Sequence, residues 1–220
     1  MNDATEPGPQ PISEARVLRE TPQTGHPDPP GMPPPGPPEA PSPSMGPSQR
    51  ASVRLLLSSP LHALSLGFGS GLSPVAPGTV GTLWAWLSFW VLNHWLGDSQ
   101  WAWLLGGGLL LGWWACTRTA QALNMADPSP VVWDEVIAFW AMLWLLMPAS
   151  FGLQLAAFAL FRYFDAAKPG PVGWADRLFK GRPGQAPGWA QGFGILFDDL
   201  VAALCALLVL ALWRVLWHAP

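Results

Sequence analysis

Charge is what this chain has least of. Asp, Glu, Lys and Arg make up 11% of its 220 residues, against about 25% in an average soluble domain. None of the four occurs in residues 55–97, 99–117, 136–161 or 200–213. A net charge of −3 without a basic run gives no footing for a nucleic-acid partner. Cysteine is nearly absent too. Cys116 and Cys205 stand alone in apolar stretches, too far apart to form a motif, and read as small apolar side chains. The N-terminus has no short apolar core followed by a cleavage site, so no secretory signal is expected.

Half of the residues are hydrophobic and fifteen are tryptophan. Uncharged apolar runs of roughly 18 residues or more read as membrane spans. The expectation is an all-α, polytopic helical membrane protein with about five membrane-embedded helices and short connections. Residues 1–50 hold 15 of the 26 prolines and cannot bury enough apolar surface to offset their ordering entropy. They read as part of a disordered tail, 1–52, ahead of a membrane domain, 53–220. Residues 53–66 suggest one short helix on or in the membrane surface. The glycine- and proline-rich stretch 67–81 argues for irregular backbone. It is not a Walker loop, because no Gly-Lys-Ser/Thr follows.

The spans are expected at about Thr79–Leu96, Trp101–Leu123, Pro130–Met147, Phe151–Asp165 and Ile195–Trp217. Ser129 reads as the N-cap of the third, with Pro130 at its first position, so Asp134 and Glu135 fall in its second turn. Glycines at 106–108 and 112 suggest close helix packing in the second. Lys and Arg cluster before the first span and in the second and fourth connections, which places those connections and the N-terminus in the cytoplasm. With a turn at Pro148, three acid groups meet at that face. They are Asp134-Glu135, Asp165 (with Arg162 and Lys168), and Asp198-Asp199 at the start of the fifth span. Asp98, Asp176, Arg177, Lys180 and Arg182 read as solvated loop charges, and Asp127 as a turn residue. His62, just ahead of the glycine-rich loop, reads first as structural.

Ionisable groups at membrane depth are costly and point to function. Gathered carboxylates repel unless a cation neutralises them, and an all-oxygen ligand set favours Mg²⁺. Arg162 and Lys168 suit phosphate, the first as a bidentate fork and the second as a point charge. Other phosphatase routes lack their residues. No Cys precedes an Arg at the spacing a phosphocysteine needs, no Asp-x-Asp exists, and no Ser-Arg…His pattern supports a phosphohistidine. A rival reading is a small transporter or cation-binding membrane protein using the same carboxylates. It needs residues near the bilayer midplane, whereas these gather at one end.

Four motifs now stand together: Phe68-Gly69-Ser70-Gly71-Leu72 running on to Pro77-Gly78-Thr79; Trp133-Asp134-Glu135; Phe161-Arg162-x-x-Asp165-x-x-Lys168-Pro169; and Gly192-x-Gly194-Ile195-x-x-Asp198-Asp199. In this order they resemble the phosphatidylglycerophosphatase A family, over about residues 58–217. The resemblance implies a multi-pass bacterial inner-membrane enzyme with its active site facing the cytoplasm. Such an enzyme uses Mg²⁺ to remove the terminal phosphate of the phospholipid phosphatidylglycerophosphate, leaving phosphatidylglycerol. Asp134, Glu135, Asp165, Asp198 and Asp199 are then the catalytic candidates. Glu135, Asp165, Asp198 and Asp199 are the metal candidates. Arg162 and Lys168 are the phosphate-binding candidates, with Ser70 and Thr79 as weaker ones beside the backbone N–H groups of the glycine-rich loop.

Overall fold

The computed structural model describes residues 51–181 and 186–217. The expected disordered tail, save 51 and 52, lies outside them, as does Arg182. Among the described residues all regular structure is helical.

The first apolar stretch forms two helices, α1 (Val53–Ser58) and α2 (Pro60–Ser65), rather than one. Pro60 has no N–H to continue α1 and forces Ser59 into extended backbone (φ −160°, ψ 143°). Ser59 then caps α2, its hydroxyl accepting from Leu61 N. A 3₁₀ turn over Gly67–Leu72 follows, broken by positive φ at Phe68 and Gly69. Gly71 is required there, since a Cβ on it would strike the Pro130 carbonyl.

Helix α3 (Pro77–Leu92) starts on a proline at its first position. Helix α4 (Asp98–Leu123) ends where Asn124 turns left-handed at φ 54°. Helix α5 (Trp133–Leu146) begins three residues later than Ser129-Pro130 suggested. Those residues belong to a turn in which Val131 N donates to Pro128 O at 2.8 Å, and Val132 N donates to Ser65 O at 2.9 Å. The shift puts Asp134 and Glu135 in the first turn of α5, not the second. Helix α6 (Phe151–Ala167) is capped by Ser150 and closed by Lys168 at φ 45°. A short helix, α7 (Pro171–Leu178), precedes α8 (Trp189–Trp217). Because α8 starts six residues before Ile195, Asp198 and Asp199 lie in its third turn rather than its first.

Helix α5 is the centre of the packing. Its residues Trp133 to Trp140 are all buried, and α3, α4, α6 and α8 surround it. Gly108 and Gly112 let α4 approach closely: a Cβ at 108 would sit 2.7 Å from Ile137 Cδ1, and one at 112 would run into the Trp133 ring. Gly106 and Gly107 face open space and play no such part. Tryptophans bind the bundle through their indole N–H groups. Trp133 donates to Gly108 O at 3.0 Å, Trp140 to Ala85 O at 2.9 Å, Trp101 to Asn93 Oδ1 at 3.0 Å and Trp86 to Gln154 Oε1 at 2.8 Å. This is why they are spread along the helices instead of confined to two belts.

Among the described residues one helix is long and apolar enough to cross a membrane, Trp189–Leu216 within α8. Five full spans are therefore not confirmed. Helices α3, α5 and α6 have 16, 14 and 17 residues, short of the roughly 20 that a span needs. Helix α4, at 26 residues, is long enough, but glycine, tryptophan and polar residues dilute its hydropathy.

Candidate active site

Four helix segments converge on one cavity of about 320 Å³. The N-terminus of α3 contributes Gly78, and the first turn of α5 contributes Asp134 and Glu135. The end of α6 brings Arg162, Asp165 and Lys168, and the third turn of α8 brings Asp198 and Asp199. The loop between α4 and α5 adds Asp127 and Ser129. Six carboxylates and two cations thus line the same space, a formal excess of four negative charges.

Five of these carboxylates fall into two groups, and Asp127 stands apart in the loop between α4 and α5. Asp134, Glu135 and Asp199 each offer an oxygen, and the three oxygens lie within 4.8 Å of one another. All three residues are buried, at 8%, 8% and 3% exposure. Asp134 Oδ1, Glu135 Oε2 and Asp199 Oδ2 are buried with no hydrogen-bond partner among the described residues. Unmatched carboxylate oxygens in so small a volume are strongly unfavourable as bare charges, and either a proton or a cation between them relieves the cost. Hard, all-oxygen donors are the set that Mg²⁺ prefers. The residues therefore fit such an ion.

The other two acids are held by cations. Asp165 Oδ2 accepts from Arg162 Nη1 at 2.6 Å, and the same nitrogen is 3.7 Å from Glu135 Oε1 and 3.3 Å from Thr82 Oγ1. Arg162 Nε is buried and has no partner among the described residues. Lys168 Nζ donates to Asp198 Oδ2 at 2.5 Å and to Asp176 Oδ1 at 2.6 Å. Burial opposes the charge on Lys168, but these two carboxylates outweigh it and raise its pKa above the usual lysine value. Burial also works against the Asp176 carboxylate, but Lys168 and Lys180 overcome it and hold its pKa below the ordinary value.

Of the sequence candidates, Asp134, Glu135, Arg162, Asp165, Lys168, Asp198 and Asp199 all line this cavity, whereas Ser70 and Thr79 are not among its lining residues. The Ser70 hydroxyl is turned to its own loop and donates to Gly67 O at 2.9 Å. Next to Thr79, Gly78 lies against the site, since a Cβ there would collide with Glu135 Oε1 and come within 3.1 Å of Arg162 Nη2. His62 Nδ1 pairs with Thr119 Oγ1 at 2.8 Å, away from the cavity lining. Three residues carried too weak a sequence signal. Asp127 lines the cavity instead of merely turning the chain. Thr82, one turn into α3, reaches Arg162. Asp176 is no solvated loop charge but the partner of Lys168; Pro171, as a helix-starting proline, was the one hint that a helix would carry it back.

A family model described as Phosphatidylglycerophosphatase A matches residues 63–214. A phosphatidylglycerophosphatase A of Escherichia coli (strain K12) is 38% identical over 154 residues, covering 70% of this chain and 83% of that protein. Another, from Haemophilus influenzae, is 35% identical over 156 residues, covering 71% and 90%. No solved structure matches significantly.

Proposed function

Because this chain belongs to the phosphatidylglycerophosphatase A family and is a phosphatase, we propose that it hydrolyses the terminal phosphate monoester of phosphatidylglycerophosphate, with Mg²⁺ as cofactor. The products are phosphatidylglycerol and inorganic phosphate. The observation that carries this reading is the trio Asp134, Glu135 and Asp199, each with one buried oxygen that has no partner among the described residues, beside an Arg162 Nε in the same condition in one cavity.

Asp134, Glu135 and Asp199 are the residues that would hold Mg²⁺, with Asp165 and Asp198 lining the same cavity. The ion, when bound, supplies charge neutralisation and Lewis-acid polarisation of a phosphate oxygen. Arg162 is fixed on one side by Asp165 and Thr82, which leaves its Nε–H for a phosphate oxygen. Lys168 adds a positive charge where α6 meets α7 and α8. Arg162 is preorganised where negative charge develops as the P–O bond breaks, and Lys168 binds the charge that the phosphate already carries. A carboxylate of the cluster takes one proton of the attacking water and returns it to the departing alkoxide oxygen, so the lipid alcohol leaves neutral and the water oxygen stays on the released phosphate.

A phospholipid substrate suits the surroundings. Large apolar side chains remain exposed along the helices, among them Trp90, Trp103, Leu110, Leu145 and Leu212, as expected of a surface facing lipid. With α8 long enough to cross, this supports a membrane enzyme. Lys168 at the end of α6 and Lys180 after α7 stand at the cavity end of the bundle through Asp176, which favours a cytoplasmic-facing site.

Phosphate release by the detergent-solubilised full chain, with and without Mg²⁺, tests the proposal. Asp134→Asn and Asp199→Asn should each reduce kcat by about 10²-fold or more. Near-normal turnover in both variants, or full activity in excess chelator, would overturn it.

A further inference from the structure

The Lys168 side chain is held by a carboxylate outside the expected motifs. Asp176 sits on α7, yet its side chain is only 11% exposed and its Oδ1 lies 2.6 Å from Lys168 Nζ. Its other oxygen pairs with Lys180. Lys168 Nζ also reaches Asp198 on α8. The ammonium is therefore suspended between two helices, neither of which is its own.

The backbone is built to make this meeting. Lys168 adopts a left-handed conformation (φ 45°, ψ 49°), and Gly170 continues the reversal at φ 50°, ψ −113°. Gly173 has no room for a side chain, since a Cβ there would lie 2.5 Å from the Lys168 carbonyl oxygen. Val172 and Ala175 are fully buried. Phe179 packs edge-on to Phe193 and Phe197 of α8 at 5.2 and 5.6 Å. Helix α7 is thus pinned at both ends, and Asp176 has a fixed position from which to hold a flexible lysine.

We propose that Asp176 is a positioning residue that holds the Lys168 ammonium at the cavity wall for the substrate phosphate. This rests on the assignment of Lys168 to phosphate binding given above. An ammonium has three N–H donors. Two are taken by Asp176 and Asp198, and the third, without a partner among the described residues, is left for the ligand. Without Asp176 the long lysine arm would answer to Asp198 alone, drawn toward α8.

Steady-state kinetics on the full chain with phosphatidylglycerophosphate and Mg²⁺ test this. Asp176→Asn should raise KM about tenfold while kcat stays within about twofold, the pattern for lost uniform binding. Asp176→Glu keeps the charge and lengthens the arm by one methylene, so KM should fall between the two. Lys168→Met should raise KM at least as much, and adding Asp176→Asn to it should change KM by less than about twofold. An unchanged KM in Asp176→Asn, or independent effects in the double variant, would overturn the proposal. So would a fall in kcat and melting temperature at constant KM. Should Asp176→Asn fail to fold, a wild-type KM in Asp176→Glu overturns it as well. A wild-type KM in Lys168→Met would instead remove Lys168 from phosphate binding, and this inference with it, while leaving the Asp134 and Asp199 tests standing.

Discussion

Arg162 shows how much one side chain does here. Its Nη1 serves Asp165, Thr82 and the edge of Glu135 at once, while its Nε has no partner among the described residues. A lysine carries the charge but not the fork. Arg162→Lys should therefore lose about 10²-fold in kcat, comparable to removing one preorganised donor, as measured by phosphate release at saturating lipid. His62 offers a test of stability instead. Burial pushes its pKa below the ordinary 6.5, and nearby Arg118 adds to the shift. A depressed folded-state pKa means that the unfolded chain binds more protons. The contribution is complete above pH 6.5 and is lost as pH falls through the folded value. The melting temperature should therefore drop between pH 8 and pH 5.5 by less in His62→Gln than in wild type.

At the scale of elements, the site depends on how closely helices approach. Gly78 is the clearest case, because α3 reaches Glu135 and Arg162 only where it has no side chain. Alanine is the better helix former by about 1 kcal/mol, so Gly78→Ala should keep its helical circular dichroism. Turnover should still fall by about 10- to 10²-fold, since small displacements of reacting groups are costly. Unchanged turnover would mean that the α3–α5 contact does not set the geometry. The helices themselves were largely legible from apolar runs, and α6 was placed within two residues of its ends. Their starts were harder to read. Ser129-Pro130 carries the pattern of a helix start, but Val132 is held by the Ser65 carbonyl across the fold, a competitor that no local pattern contains. Likewise Gly192 and Gly194 fall ahead of Ile195, where the last span was expected to start. They are helical, and they are small because Thr117 and Phe179 press against them.

For the whole molecule, the defining feature is a bundle that gathers negative charge at one end. Mutual repulsion among Asp134, Glu135 and Asp199 works against folding, so a cation that relieves it should stabilise the native state by mass action. At about a hundredfold excess over Kd the gain is about 2.7 kcal/mol, which corresponds to roughly 5–10 °C in Tm for a chain of this size. Thermal melts in detergent should show that rise with Mg²⁺ and its loss with chelator. Asp199→Asn should melt higher than wild type without the ion and respond less to it. A wild-type Tm indifferent to Mg²⁺ would argue against an ion at this site.

Sequence by itself determined that the chain is helical and apolar, and that its few charges stand where apolar segments end. Long uncharged runs must hide their backbone polar groups in helices, whatever the tertiary arrangement. It also determined the family, since four motifs recur in order. Only the tertiary structure decided the division of labour among the acids. Asp165 and Asp198 face cations, whereas Asp134, Glu135 and Asp199 face one another. That outcome depends on the rotation and depth of α5 and α8 against α6 and α7. Packing across the bundle sets those, through Gly78, Gly192 and Gly194, and spacing along the chain does not encode them.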